Sequence, residues 1–303
     1  MNKLFIPLFT IIYIFLSLCF SSCKKDPINR EIHADTIIIG NIAPNYTGVP
    51  TTSIKLYVNK LYVDLLGREA TQLELTNDVN TLINNNLSES SRESVIQNLF
   101  VDSAFYSRIF EITSSDFTNG IGTQEISDEI EFLQYQAEFD SLNGNTQFLF
   151  YYYLEINRLS SVLNITNELQ ANSININEYY KRFLDNYFYD QVNMGTENFV
   201  KGAYDDLFKR SPTISELDES VQMVDGAPAN IFLADGSNKG DFMNIVTTCD
   251  EFYEGYVRKM YTQFLLREPN SQEMTIGVQT FKPNSNYKLI QLQLLKSSEY
   301  AGF

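Results

Sequence analysis

Residues Tyr57–Glu74 read YVNKLYVDLLGREATQLE, and the phrase returns as FVKGAYDDLFKRSPTISE over Phe199–Glu216 and as YVRKMYTQFLLREPNSQE over Tyr256–Glu273. The three align without gaps. Each opens on an aromatic followed by Val, then carries Tyr62, Tyr204 or Tyr261, an apolar pair, and Arg68, Arg210 or Arg267. In the first, Tyr57, Leu61 and Leu65 recur at i, i+4 and i+8, with Tyr62 and Leu66 widening the stripe, which is the period of a half-buried helix. Gly67 stops that helix. Thr71 and Glu74 then have the spacing of a capping box, in which the hydroxyl takes an orphan N–H and the carboxylate reaches back to the cap. Thr213 with Glu216 and Asn270 with Glu273 repeat the spacing. Pro212 and Pro269 bar the preceding helix from continuing. The reading is helix, tight turn, helix, three times over.

A third element closes each unit: Val95–Tyr106, Phe242–Tyr253 and Leu289–Tyr300, each starting on an apolar residue and ending on an aromatic. Units of roughly 45–55 residues with three helices are packing modules of ordinary size. The expected fold is therefore all-α, with three copies of a helix-turn-helix-helix repeat at 53–110, 199–254 and 255–303. A helical insert at 111–198 is expected to pack the copies together. In it Ile126, Ile130, Leu133 and Ala137 keep a helical period, Phe148–Leu169 is long and apolar, and Ile176–Phe188 is rich in Tyr and Phe.

The phrase aromatic-x-x-x-x-Tyr-x-x-Leu-Leu-x-Arg-x-Pro-Thr/Asn-x-x-Glu resembles the helical repeat domains of unknown function related to phycobilisome linker domains, found in secreted and surface proteins of bacteria. Lys296-Ser297-Ser298-Glu299-Tyr300 is similar to their terminal motif. The first copy departs with Ala70 in place of Pro, and the second with Asp250-Glu251-Phe252 in place of Ser-x-Glu. The resemblance covers about half of the chain beyond residue 22. It implies an all-α interaction module, with no catalytic residue to carry over.

Residues 1–22 read as a signal peptide: Lys3, an apolar stretch from Leu4 to Phe20, then Ser21-Ser22 before Cys23. Small residues directly before a Cys are what a lipoprotein signal peptidase requires, although Phe20 stands where an aliphatic residue is usual. The alternative is an uncleaved span; the run is about 17 residues, the lower limit for crossing a bilayer. Cys23 is expected to be lipidated, with palmitate among its acyl chains. Lys24 after it is not the Asp of an inner-membrane retention signal, so the expectation is an outer-membrane lipoprotein, its leaflet open. Residues 23–52, with Pro27, Pro44 and Pro50, read as a tether. Within it Thr36–Ile39 is a candidate strand and Asp35-Thr36-Ile37 a candidate O-glycosylation acceptor; Asp102-Ser103-Ala104 has the same pattern in a predicted helix.

A formal net charge of −16 argues against nucleic acid as a partner, since phosphate backbones are repelled. Cys249 is the one thiol left after signal removal and lipidation, which excludes an internal disulfide. It is expected to be a core thiol on an apolar helix face between Ile245 and Phe252. The single His, His33, falls in the tether, which disfavours His-based nucleophilic catalysis and zinc. No cofactor or metal is expected. Asp235–Asp241 superficially matches a calcium loop, but Lys239 occupies a ligand position and Val246 the place of the bidentate Glu; a flexible helix–helix loop is the preferred reading. Asp205-Asp206 and Asp128-Glu129-Glu131 are candidate carboxylate pairs for glycoside chemistry, read instead as solvated faces.

Arg68, Arg210 and Arg267 either grip a carboxylate on a partner or bond the last carbonyls of the preceding helix and pair with the capping Glu; the structural role is the stronger reading. The run Phe148–Tyr153 (FLFYYY) exceeds one helix face, so part of it is expected in the core and part at a protein interface or a sugar platform. With no Trp, sugar stacking loses its favoured residue. The leading expectation is a non-catalytic, outer-membrane lipoprotein that binds or scaffolds an envelope protein. Surface glycan capture is the alternative, favoured by aromatics in a groove. A hydrolase comes third, favoured by two carboxylates facing each other in a cleft.

Overall fold

The computed structural model describes residues 48–303. Cys23, His33, Asp35 and the candidate strand Thr36–Ile39 lie outside the described residues. The described part is all-α apart from one small hairpin. Its helices are α1 (Thr51–Leu66), α2 (Gln72–Asn84), α3 (Glu89–Leu99), α4 (Ser103–Thr118), α5 (Thr123–Leu142), α6 (Leu149–Leu163), α7 (Ile165–Gln170), α8 (Ile176–Leu184), α9 (Tyr187–Val192), α10 (Thr196–Phe208), α11 (Ile214–Val224), α12 (Lys239–Val246), α13 (Asp250–Leu265), α14 (Ser271–Phe281), α15 (Tyr287–Leu295) and α16 (Ser298–Ala301). Strands β1 (Ala229–Ile231) and β2 (Ala234–Gly236) pair antiparallel between α11 and α12, with Asn230 opposite Asp235. No described helix is long and apolar enough to cross a membrane.

The apolar stripe of α1 is buried along its length, with Tyr57, Val58, Leu61 and Leu65 essentially inaccessible. The stripes of α10 and α13 are buried likewise, through Val200, Tyr204 and Leu207 and through Val257, Met260 and Phe264. Each of the three helices ends on a residue in the left-handed region: Gly67, Lys209 and Leu266, with φ of 72°, 59° and 56°. This residue throws the chain sideways and directs the following Arg back onto the turn.

The chain closes on itself. Helix α15 packs on α3, and α16 on α1. Tyr57 donates its hydroxyl to the Leu295 carbonyl at 3.1 Å, and buried Arg92 donates to the carbonyls of Lys296 (2.7 Å) and Leu87 (2.9 Å). One continuous apolar core runs from Ile54 to Ala301.

The closing elements differ from expectation. None of them is a single helix. Each contains the end of one helix, a turn, and the start of the next: α3 to α4, α12 to α13, and α15 to α16. The helix starts are marked by Asp102, Cys249 and Ser297, which shifts the third copy by one residue relative to the aromatic-to-aromatic alignment. The apolar period runs through these junctions, so it did not reveal the break. Helix α13 thus ends the second unit and begins the third.

The insert is also divided. Helices α8 and α9 pack against α4 and tie it, through α8, to α12, whereas α5 packs chiefly on α6. The long apolar stretch breaks at Asn164 into α6 and α7.

Candidate functional site

At the three turns the same hydrogen-bond pattern is built from equivalent residues. Arg68 donates through both Nη atoms to the Glu74 carboxylate, 2.8 Å each; Arg210 does so to Glu216 (2.8 and 2.6 Å), and Arg267 to Glu273 (2.8 and 2.7 Å). Each Nη1 also donates to the carbonyl of the next residue at 3.1 Å. The same Glu accepts from the backbone N–H of Thr71, Thr213 or Asn270, completing a capping box with that residue. Behind each guanidinium lies the repeated tyrosine, with ring centroids 5.3–5.4 Å away at Tyr62, Tyr204 and Tyr261. The Arg hydrogen bonds draw Glu74, Glu216 and Glu273 down to about 2.

The turns are not identical. Arg210 also binds Glu251, and Arg267 binds Glu299 at 2.6 and 2.8 Å; these acids stand two residues past Cys249 and Ser297. The corresponding residue after Asp102 is Ala104, so Arg68 has one carboxylate where the others have two. All nine repeated residues are thus engaged within their own turns.

Cys249 is not on a helix face. It is half-buried at the start of α13, and burial pushes its thiol up to about 11, which makes it a poor nucleophile at neutral pH. The segment Asp235–Asp241 is an ordered hairpin edge and helix cap in place of the expected flexible loop. Asp235 accepts from Asn230 at 2.8 Å, Asp241 accepts from the Ser237 backbone and the Asn238 side chain, and Lys239 pairs with Asp190. The two aspartates are thus occupied in holding the fold. Asp205 is exposed while its neighbour Asp206 is half-buried, accepts from Tyr189 at 2.9 Å, and is raised by desolvation to about 6. Their side chains face different surroundings. Asp128, Glu129 and Glu131 lie on α5, with Asp128 and Glu131 exposed.

Two features stand apart. The first is the α5–α6 hairpin. On α5, Ile126, Leu133 and Ala137 are buried, while Phe132, Tyr135, Phe139 and Leu142 form a second stripe at spacings of three, four and three that is open to solvent. On α6, Phe150, Tyr151 and Tyr153 are exposed, as is Phe148 just before it; Phe150 is 79% exposed and Tyr135 62%. Within Phe148–Tyr153, Leu149 and Tyr152 are half-buried and Tyr152 packs against the core, so part of the run turns inward as expected. Helix α6 is covered by α5 on one side, and its apolar side chains are fully buried only in its later turns, at Leu159 and Val162. Between Thr123 and Asn157 there are seven acidic residues and no Lys or Arg.

The second is a cleft of about 470 Å³ where the first unit faces the other two. Helix α4 contributes Arg108, Ile112 and Asp116, and α13 contributes Arg258, Lys259, Thr262 and Gln263. Asp64, Lys209 and Glu268 close its rim. Lys259 bridges to Asp116 at 2.8 Å, Arg258 to Glu268 at 3.1 Å, and Asp64 accepts from Tyr300 at 2.7 Å. No aromatic ring lines this chamber, and each of its carboxylates is held by a donor. Sequence reasoning singled out the Phe148–Tyr153 part of the hairpin and missed its α5 stripe and the cleft. The cleft has no linear signal, but the hairpin had one in the 3-4-3 spacing running beside the inward stripe.

No family model matches the sequence, and neither curated proteins nor solved structures yield a match.

Proposed function

We propose that this chain is a non-catalytic, lipid-anchored envelope protein that docks a partner protein on its α5–α6 hairpin, the partner presenting a basic segment with apolar side chains. The observation that carries this reading is the hairpin surface: a cluster of exposed aromatic and aliphatic side chains on an acidic ground. Monomeric surfaces rarely leave such rings contiguous, and Tyr and Phe dominate the energetic centres of protein interfaces. Charge selects the occupant. A second copy brings the same acidic hairpin and is repelled, and an anionic lipid surface is repelled for the same reason. A cationic amphipathic segment meets both the rings and the carboxylates. The anchor rests on the signal-like residues 1–22 and Cys23, and with it the outer-membrane location.

Fluorescence anisotropy with the full chain tests the docking. A labelled Leu/Lys amphipathic helix should bind at least about tenfold tighter than a Ser/Lys peptide of equal charge, a difference of about 1.4 kcal/mol. Equal affinity for the two peptides would reduce the hairpin to a non-specific acidic patch. Mass spectrometry of membrane-extracted protein tests the anchor: the expected first residue is lipidated Cys23, and a mature chain retaining Met1–Ser22 contradicts it.

A further inference from the structure

We propose that the cleft between α4 and α13 binds a small carboxylate that also carries hydrogen-bond donors, a hydroxy acid or an amino acid. Its volume of about 470 Å³ lies in the range of small-molecule sites. Four of the chain's 22 basic residues converge there although the chain as a whole is strongly acidic. Two of the four, Lys259 and Arg258, are matched by Asp116 and Glu268. The other two are not matched inside the cleft. Arg108 reaches only Glu111, on its own helix and outside the lining, at 3.2 Å. Lys209 has no carboxylate within ion-pair distance among the described residues, although Asp116, Asp205 and Asp206 stand near enough to act on its charge. With Asp64 also in the lining, four cations face three carboxylates, and a surplus of one positive charge faces the chamber.

The inner end makes a second demand. The cleft narrows there to a recess of about 30 Å³ that shares Asp64, Arg108 and Lys259 with the outer chamber and adds Gln291. Gln291 is 4% exposed and gives its amide N–H to Tyr256 at 3.0 Å, but its Oε1 accepts from nothing. The Nε of Arg108 is likewise buried without an acceptor. Buried groups of this kind are satisfied by a ligand or an ordered water, and the recess has room for one small polar group. An inorganic anion without a proton to give, such as sulfate, meets the cations and leaves Gln291 unmet. A neutral sugar does the reverse. A carboxylate with hydroxyl or ammonium donors meets both.

Isothermal titration of the full chain with glutamate and with gluconate, at ionic strength fixed by sodium chloride, tests the assignment, with glucose and inorganic sulfate as comparison ligands. The expected result is saturable binding of at least one of the two carboxylates, at least about tenfold tighter than sulfate and with no heat from glucose. Lys209→Gln and Arg108→Gln should each weaken it by a similar factor while far-ultraviolet dichroism stays that of the parent chain. Should Arg108→Gln fail to fold, Lys209→Gln decides alone, since Lys209 is exposed at a helix end. Absence of saturable binding for both carboxylates, sulfate binding as tightly as they do, or affinity unchanged in Lys209→Gln overturns the proposal.

Discussion

The three turns and the α5–α6 hairpin handle their side chains in opposite ways. At the turns every Arg, Glu and capping residue has partners within a few residues or on the adjoining helix start, and the tyrosine rings lie beneath. On the hairpin, rings that would add to a core remain in water. Exposed rings contribute little to folding, because the apolar area they would remove from water is still there. The contrast separates the part of the molecule that holds the fold from the part left available to another molecule. Variants in the two regions should therefore fail in different ways.

The largest expected effect breaks the scaffold. Gly255 lies where α13 crosses the end of α10, and a Cβ there would stand 2.0 Å from the Leu207 carbonyl oxygen. The two helices cannot stay in place, so Gly255→Ala should cost about 3 kcal/mol or more in urea denaturation. A cost below about 1 kcal/mol would mean that this crossing does not fix the arrangement.

Next comes the difference among the turns. Arg210 holds two carboxylates in a partly buried site, while Arg68 holds one and is more exposed. Arg210→Lys should cost about 1–2 kcal/mol and Arg68→Lys about 0.5 kcal/mol or less, since lysine keeps the charge and loses the planar fork. The pH dependence has a defined sign. Glu74, Glu216 and Glu273 are lowered from 4.5 to about 2, so their contribution is complete above pH 4.5 and is lost as the pH falls toward 2. Asp206 acts the other way. Raised by desolvation from 3.8 to about 6, it lowers stability as pH rises through that window, and Asp206→Asn should remove that loss. Parallel acid unfolding curves for the parent and a Glu216→Gln variant would contradict the first assignment.

Smaller changes sharpen the comparison by making the turns alike. Ala104→Glu places a second carboxylate beside Arg68 and should stabilise by up to about 1 kcal/mol. Leu266 holds a left-handed conformation that Gly67 adopts freely at the equivalent place, so Leu266→Gly should raise stability by about 0.5–1 kcal/mol in the same denaturation assay. Destabilisation by Leu266→Gly would mean that its side chain contributes more than its backbone conformation costs.

What the sequence made legible was local. The stripe of Tyr57, Leu61 and Leu65, the stop at Gly67 and the cap at Thr71 and Glu74 are each set by residues within a turn or two, and the all-α class follows from them. The junctions at Asp102, Cys249 and Ser297 were hidden because apolar positions continue through the break, and Cys is not a usual cap. The β-hairpin was hidden because its turn is Phe232-Leu233, both at positive φ, where Asn-Gly is the usual signal. There Phe232 packs on Tyr204 and Phe208, with ring centroids 5.8 and 5.3 Å apart, which holds the turn in place of local preference. The cleft draws on α1, α4, α13 and two turns, so only tertiary structure assembles it.

The most direct measurement pairs melting with peptide binding in two variants of the full chain. One is Phe132→Ala/Tyr135→Ala/Phe139→Ala on the hairpin, and the other is Arg210→Lys at the second turn. The account predicts that the hairpin variant keeps the parent melting temperature and loses at least about tenfold in affinity for the Leu/Lys helix. Arg210→Lys should melt lower and, below its transition, bind as the parent does. A hairpin variant that melts early with its affinity intact, or an Arg210→Lys chain that keeps its melting temperature and loses the peptide, would contradict the division of the molecule into a clasped scaffold and a docking surface.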